Sequence, residues 1–389
     1  MNLTTATRYG LNVLALLGAS IALHLGKPIF VPLTIAAVLA AILWQPAEYL
    51  KARFNMPWFF ACVSAIGTLV FVCLLILTLL FLSSLQFVSE LPRSDDLVKQ
   101  TKIYHDIRNQ LPFLQNTLPE NPNDSKVFKE FQAALREEGS VRDTVGTWGG
   151  YLFEGMLILF VLLFLLLEGR MLGNKVRNIF GPGPQVQEQV SGAFKEMAEA
   201  VRTYLVWRTI VNFGLALVLA VVYSALGLQQ WMLWALLTAI LCYVPYLGTI
   251  LAGIPPVLDA LVFGGSAGVA FGILIFYATI VTLEGYIIVP WVMGRSMDLN
   301  ATTVLLACLY WSVVWGPTAG FFLAMPLMAA VKAVCMHVDA WKPWGELMSS
   351  EEEPRESPHI DLVPAGPPTG AEADDDKTVV MEALTDDKR

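Results

Sequence analysis

The chain has 389 residues, of which 56% are hydrophobic and only 15% are charged, and its mean hydropathy is +0.58. Water-soluble chains of this length carry more charge, so these values exclude an ordinary cytosolic enzyme. The net charge of −8 comes entirely from residues 349–389, which hold 12 Asp and Glu residues against 4 Lys and Arg residues. Residues 1–348 are therefore neutral overall and offer no basic surface for a nucleic-acid partner.

Uncharged apolar runs predict an all-α, polytopic membrane protein. A bilayer core about 30 Å thick needs roughly 20 apolar residues in a helix. The runs are 9–25, 28–45, 57–89, 155–167, 209–258, 260–283 and 299–331. Because two runs are too long for one simple helix, we predict about eight hydrophobic segments, with broken or re-entrant helices. The first two runs are short and fit either two steep helices or one hairpin.

The charged residues between the runs divide the chain into five predicted regions. Membrane segments occupy residues 1–89, and a small helical extramembrane domain occupies residues 90–148. Residues 149–208 form a membrane span and then an amphipathic cytoplasmic helix, which is either a connector or part of a gate. Residues 209–348 form a transport core with broken helices, and residues 349–389 form a disordered acidic tail.

Basic residues in short loops predict which side of the membrane each loop faces. They follow the second run and fill residues 168–208, so both chain termini are predicted to be cytoplasmic. The extramembrane domain then lies on the opposite side. Within it, Ser94-Asp95-Asp96 is typical of a helix start, and a second helix is predicted to open at Asp124 and to end at Gly139.

Two stretches of the predicted transport core share the pattern Pro-x-x-Gly-x-x-Leu-Ala, beginning at Pro245 and at Pro317. Pro and Gly inside an apolar run free backbone amides and carbonyls, which a membrane tolerates only where protein or a water-filled cavity meets them. Matched interruptions of this kind indicate the substrate site of a secondary transporter. The alternative is a pair of packing kinks with no ligand.

The substrate pathway is predicted to follow these two interruptions. Their Pro and Gly residues supply broken backbone, while Asn and Thr side chains supply hydrogen bonds to cargo or, alternatively, bonds between helices. The predicted pathway residues are Asn212, Tyr243, Pro245, Gly248, Pro255, Pro256, Asn300, Thr302, Gly316, Pro317, Gly320 and Pro326. If residues 231–260 and 299–335 fold back as re-entrant hairpins, Asp259 lies outside and Arg295 stays on the cytoplasmic side.

Glu284 is the only carboxylate deep in the last three apolar runs. A charge at membrane depth costs about 3 kcal/mol or more, which favours a functional role in proton coupling or in substrate binding. The alternatives are a structural ion pair with Arg208 or Arg295, or exposure near the membrane interface.

The sequence lacks the residue patterns of disulfide-rich proteins, metal sites and common enzymes. The five cysteines have no Cys-x-x-Cys spacing, and His24 and His337 have no partners at metal spacing, so neither a disulfide framework nor a metal site is predicted. Motifs for a zinc protease, a serine hydrolase and a nucleotide-binding P-loop are missing as well. The sequence therefore predicts neither catalytic residues nor a cofactor.

The C-terminal motifs also follow a definite order along the chain. They are Tyr243-Val244-Pro245-x-x-Gly248, Ile254-Pro255-Pro256, Glu284, Pro290, Gly294-Arg295, Trp315-Gly316-Pro317-x-x-Gly320, Ala324-Met325-Pro326-Leu327 and Lys332. This order resembles the autoinducer-2 exporter (AI-2E) family of bacterial inner-membrane proteins, over about residues 9–335. The resemblance implies an energy-coupled exporter of a small polar molecule used in quorum sensing. It also implies a homo-oligomer, a pentamer, with elevator-like movement.

Two other interpretations stay open at this point. Other members of the same family resemble sodium or lithium/proton antiporters, so a monovalent cation is the alternative cargo, although one membrane carboxylate is sparse for that task. A structural or regulatory membrane protein, whose extramembrane domain and tail bind partners, is the second. In each case the lipid bilayer is the surrounding partner.

Overall fold

The structure is a computed structural model that describes residues 5–90, 97–110, 119–126, 129, 141–179, 183–263, 266–289, 291, 299–338 and 341–350. Every regular element in these residues is a helix. The α-helices are α1 (Thr5–Leu25), α2 (Lys27–Phe54), α3 (Trp58–Glu90), α4 (Leu97–Gln110), α5 (Val141–Ile179), α6 (Pro184–Ala225), α7 (Trp231–Leu241), α8 (Leu247–Val262), α9 (Ala267–Leu283), α10 (Ala301–Trp315), α11 (Pro317–His337) and α12 (Lys342–Met348). A 3-10 helix covers Pro122–Asp124, and a π-helix covers Glu284–Ile288.

Six helices in the described residues are long and apolar enough to cross a membrane: α2, α3, α5, α6, α9 and α11. The apolar helices α1, α7, α8 and α10 are shorter. At 1.5 Å per residue, α7 rises only about 17 Å, roughly half the thickness of a bilayer core. The chain is therefore a multi-pass helical membrane protein with some partial helices, and the predicted fold class is confirmed.

Helices α2, α3 and α5 pack into one group that is fixed at one end by tryptophan and arginine side chains. The Trp58 indole nitrogen donates to the Leu166 carbonyl at 3.1 Å, and its ring lies 5.3 Å from that of Trp44. Arg170 lies over both rings and pairs with Glu48 at 2.7 Å. These contacts join all three helices, which we call the scaffold.

Helix α6 runs without interruption from Pro184 to Ala225. The predicted amphipathic helix and the apolar segment after it are therefore one helix, and the predicted boundary between residues 208 and 209 falls inside it. The sequence has no proline after Pro184 in this stretch, so nothing in the backbone ends the helix early. Along its length α6 packs against α2, α7 and α11.

Helices α7 and α8 form the first predicted hairpin, hairpin 1. The Trp234 indole nitrogen near the start of α7 donates to the Asp259 carboxylate near the end of α8, at 2.8 Å. The start of α7 and the end of α8 are therefore neighbours. The turn between the helices, residues 242–246, lies at the opposite end of the hairpin, and we call it tip 1. Pro255 and Pro256 lie inside α8. Each removes only one backbone donor, so the interruption is confined to tip 1.

Helices α10 and α11 form the second predicted hairpin, hairpin 2. The backbone nitrogen of Asn300, just before α10, donates to the Met348 carbonyl at the end of α12, at 2.8 Å. Helix α12 in turn packs through Gly345 on Met336 at the end of α11. The start of α10 and the end of α11 are therefore neighbours, and Gly316, tip 2, forms the opposite end. Buried Pro326 lies inside α11, which continues past it.

The glycines of the repeated pattern have the same structural role in both hairpins. Gly248 lies directly against the Leu241 carbonyl of α7, and Gly320 lies directly against the Trp311 carbonyl of α10, so a Cβ atom at either position would overlap backbone atoms. The turns themselves need positive φ angles, +62° at Tyr246 and +88° at Gly316. The glycine of each repeat therefore lets α8 cross close to α7, and α11 cross close to α10.

The extramembrane region is described in part. Helix α4 begins directly after Ser94-Asp95-Asp96, although those three residues lie outside the described part of the chain. The Tyr104 hydroxyl donates to the Pro119 carbonyl at 2.7 Å, and α4 packs against α8. The second helix predicted from Asp124 falls mostly on residues that the structure does not describe, as does the acidic tail after residue 350.

Candidate functional site

The centre of the candidate site is a buried ion pair between Arg208 of α6 and Glu284. The Arg208 Nη1 atom lies 2.5 Å from Glu284 Oε1, and the side chains are only 10% and 5% exposed. Glu284 opens the π-helix that follows α9, and such irregular turns are frequent at functional sites. Of the alternatives that the sequence left open for Glu284, the structure shows the pair with Arg208, whereas Arg295 lies outside the described residues.

The same arginine also binds the backbone of tip 1. Its Nε atom donates to the Cys242 carbonyl at 2.9 Å, and its Nη2 atom donates to that oxygen as well. One turn earlier on α6, the Tyr204 hydroxyl donates to the Tyr243 carbonyl at 3.4 Å. The last carbonyls of a helix such as α7 have no partner within it. Side chains of α6 supply that partner at tip 1.

The Tyr243 side chain connects tip 1 to two further elements. Its hydroxyl lies 2.5 Å from the Thr209 hydroxyl of α6. Its ring packs against Phe322 of α11, with the ring centroids 6.4 Å apart. Tip 1 therefore contacts the second turn of α11, the returning helix of hairpin 2, beside α6. The sequence pattern predicted that the two interruptions share one pathway, and this stays a prediction; the contact described here joins tip 1 to Phe322, six residues beyond Gly316.

At tip 2, a side chain from α1 donates a hydrogen bond to one of the last backbone carbonyls of α10, which have no partner within the helix. The His24 Nδ1 atom donates to the Val314 carbonyl at 2.8 Å, and one turn away the Ser20 and Tyr310 hydroxyls are 2.7 Å apart. These two contacts have the same spacing on both helices, so α1 runs parallel to α10. The sequence alone showed no partner for His24 at metal spacing and did not indicate this contact.

Asn212 lies one turn beyond Arg208 on α6 and is 1% exposed. Its amide nitrogen donates to the Ala239 carbonyl of α7 at 3.2 Å. Its amide oxygen accepts no hydrogen bond within the described part of the chain. Of the polar residues predicted for the pathway, Asn212 is thus the one that holds a buried acceptor on the same side of α6 as the ion pair.

Asn300 and Thr302 have other surroundings. The Asn300 side-chain oxygen caps α10 by accepting from the Thr303 amide at 2.7 Å, and its nitrogen donates to two carbonyls in and after α12, at 2.7 and 3.2 Å. Thr302 is exposed in the first turn of α10. None of these described hydrogen bonds reaches the Arg208–Glu284 pair. The geometry of Asn300 is that of a clamp between α10 and α12.

Sequence reasoning missed two site residues on α6, Tyr204 and Thr209, and named Arg208 only as one of two possible ion-pair partners of Glu284. Arg208 directly precedes the uncharged run that begins at Thr209, so the sequence did not show that its side chain is buried. Tyr204 and Arg208 are four residues apart, which places their side chains on one helix face, and this spacing was the available signal. No group of three or more His, Cys, Asp or Glu side chains in the described residues is arranged to hold a metal ion.

A hydrogen bond from α9 supports hairpin 1 and gives a direct test of its packing. The Tyr277 hydroxyl donates to the Thr249 carbonyl at 2.6 Å. We expect Tyr277→Phe to lower the free energy of unfolding by about 1 kcal/mol, because one buried hydrogen bond is lost. Thermal unfolding of the purified protein measures this change. Tyr286→Phe is the control, since that side chain is 83% exposed, and equal effects of the two variants would contradict the described contact.

Two hairpins of interrupted helices, both packed on α6 beside a buried ion pair in a multi-pass bundle, form the architecture of a membrane transporter. Comparison with known proteins gives the family. The AI-2E family transporter model matches residues 11–339, and the chain belongs to this family. The resemblance drawn from the C-terminal motifs is thereby confirmed.

Several individual transport proteins are similar to the chain. AI-2 transport protein TqsA of Escherichia coli is 31% identical over 187 residues, which cover 45% of this chain and 49% of TqsA. A putative transport protein of Haemophilus influenzae is 27% identical over 58% of this chain and 62% of its own length. Putative transport protein YhhT of E. coli is 26% identical over 64% and 67%. The chain thus spans about half to two thirds of the length of these relatives.

Proposed function

We propose that this chain is a secondary transporter that exports a small polar molecule, such as AI-2, in a movement coupled to an ion. The observation that carries the proposal is that tip 1 of hairpin 1 contacts both the buried Arg208–Glu284 pair and Phe322 of hairpin 2. AI-2 is the first cargo to test because one relative, TqsA, is described as an AI-2 transport protein.

The chemistry of the pair suits a hydroxylated cargo. A buried ion pair adds little to stability, because the cost of removing two charges from water offsets their attraction. Its presence therefore fits a role in binding. The guanidinium of Arg208 donates, while Glu284 and the Cys242 carbonyl accept. Hydroxyl groups both donate and accept, so a polar molecule with several of them can replace these contacts one at a time.

Glu284 is our proposed coupling residue. Protonation of Glu284 removes the negative partner of Arg208, which releases the guanidinium and, with it, the carbonyl of tip 1. The hairpins can then move relative to the scaffold of α2, α3 and α5 in an elevator-like step. This proposal is supported by the arrangement of contacts, since one arginine links the coupling carboxylate to the broken backbone.

Exchange of a monovalent cation for protons is the less well supported alternative. The carboxylate that would bind the cation already faces the permanent positive charge of Arg208 at 2.5 Å. A cation bound to Glu284 would therefore lie close to the guanidinium of Arg208, and two positive charges repel strongly in a buried site. A hydroxylated molecule has no such penalty, so the ion pair favours it as cargo.

The membrane and the assembly are part of the same proposal. We place the chain in the bacterial inner membrane, with both termini in the cytoplasm, as the basic residues of 51–53 and 168–208 favour. We also propose a homo-oligomer, a pentamer by family resemblance. Large apolar side chains of α1 and α3 face outward and suit lipid or neighbouring subunits.

Transport into everted membrane vesicles tests the function directly. We expect AI-2 to accumulate when a proton gradient is imposed, and sodium or lithium to cause no proton movement. Glu284→Gln is expected to abolish the pH dependence of transport, because the side chain can no longer take up a proton. Glu188→Gln, an exposed position at the start of α6, is the control. Proton movement driven by alkali cations, without AI-2 uptake, would establish the antiporter instead.

A further inference from the structure

We infer that Trp311 and Trp315 form a subsite that binds the ring of an uncharged, hydroxylated molecule. This inference rests on the proposed function and adds to it a cargo class and two binding residues. Neither tryptophan belongs to the pathway predicted from the repeated Pro-x-x-Gly pattern.

The two side chains are neighbours at the end of α10, directly before tip 2. They lie one turn apart, with ring centroids 4.6 Å from each other and an angle of 44° between the ring planes. Their exposed fractions are 8% and 6%. Among the described residues, neither indole nitrogen has a hydrogen-bond partner. Two buried donors therefore lie side by side without acceptors.

Such a pair is unusual, because a buried indole N–H normally has an acceptor. Other polar groups of the same segment do have partners. The Val314 carbonyl accepts from His24, and the Tyr310 hydroxyl meets Ser20. The local packing can therefore satisfy polar groups, and the two tryptophans are the exceptions.

The position of the two tryptophans links them to the ion pair. They belong to a buried cluster that includes Tyr204 of α6 and Leu323 of α11. Tyr204 donates to the backbone of tip 1 and lies one turn from Arg208 on α6. The cluster thus packs both helices of hairpin 2 against α6, one turn of α6 from Arg208.

The groups in the cluster select a type of ligand. Aromatic faces cover the apolar C–H side of a ring, and indole N–H groups donate to its hydroxyl or carbonyl oxygens. A metal cation requires oxygen ligands, and this subsite provides donors instead. An uncharged polyhydroxylated ring fits the arrangement, and a bare monovalent cation does not.

Calorimetric titration of the purified full-length chain in lipid nanodiscs with AI-2 tests the subsite. We expect Trp311→Phe and Trp315→Phe each to raise the dissociation constant about 3- to 10-fold, which corresponds to the loss of one hydrogen bond. Trp344→Phe, an exposed tryptophan of α12, is expected to leave it unchanged. Benzothienylalanine keeps the shape of tryptophan and lacks the N–H, so replacing either buried tryptophan by it should lower the affinity for AI-2 by the same factor. This replacement also tests the subsite if a phenylalanine variant does not fold.

Two results would overturn the inference. One is an unchanged affinity when benzothienylalanine replaces Trp311 and Trp315. The other is the absence of AI-2 binding to the unaltered chain. The vesicle experiment judges the proposed function separately, since AI-2 transport with an unchanged affinity in these variants would refute the subsite and retain the exporter.

Discussion

Arg208→Gln is expected to lower the free energy of unfolding by about 3 to 5 kcal/mol and to abolish transport. The substitution leaves the Glu284 carboxylate buried without its cation, and removal of one member of a buried pair carries a cost of this size. The Cys242 carbonyl loses its donors at the same time. Thermal or denaturant unfolding in detergent measures the first effect, and everted vesicles measure the second.

The double variant Arg208→Gln with Glu284→Gln separates stability from function. Because it removes both charges, it should recover most of the lost stability while transport stays absent. Arg170→Gln is the matched control, since Arg170 is 70% exposed and pairs with Glu48 at the surface. Its expected effect is below about 1 kcal/mol. A double variant as unstable as Arg208→Gln alone would argue against the pair as the cause.

Gly248→Ala and Gly320→Ala are expected to disrupt the two hairpins. In each case the new methyl group would overlap a backbone carbonyl of the preceding helix, and no side-chain rotation relieves such a clash. We expect a loss of about 3 kcal/mol or more in the free energy of unfolding, at the upper end of overpacking effects, together with loss of transport. Thermal unfolding and vesicle transport measure both consequences.

The controls for these variants are Gly214→Ala in α6 and Gly272→Ala in α9, where nothing lies within 4 Å of the added methyl group. These substitutions should be neutral or stabilising by up to about 1 kcal/mol, because alanine favours a helix over glycine. If Gly248→Ala and Gly320→Ala proved as harmless as the controls, the close crossing of the hairpin helices would be refuted.

The hairpins were predictable because their cause is local. Pro245 and Pro317 remove backbone donors, and the glycine three residues after each allows close approach, so the pattern contains both the interruption and the return of the chain. The same rule predicts a helix interruption at Pro255 and Pro256, but both residues lie inside α8, which continues past them. Whether a proline ends a helix depends on the tertiary packing around it, and the neighbouring residues in the sequence do not determine that packing.

The partners within the site were not predictable to the same degree. Glu284 was identified from its charge, but Arg208 lies 76 residues earlier in the sequence, and a sequence pattern does not show which distant cation turns toward it. Trp311 and Trp315 look like ordinary apolar residues of a membrane helix. Only the three-dimensional structure shows that their indole donors are buried without acceptors.

The continuity of α6 has a mechanical consequence. Between Pro184 and Arg208 the helix is an unbroken rod about 36 Å long. A continuous helix is stiff, so a tilt or rotation of α6 at Arg208 also moves its amphipathic end. We expect the amphipathic segment to act as a lever arm, through which events in the aqueous phase and at the buried charge pair influence each other.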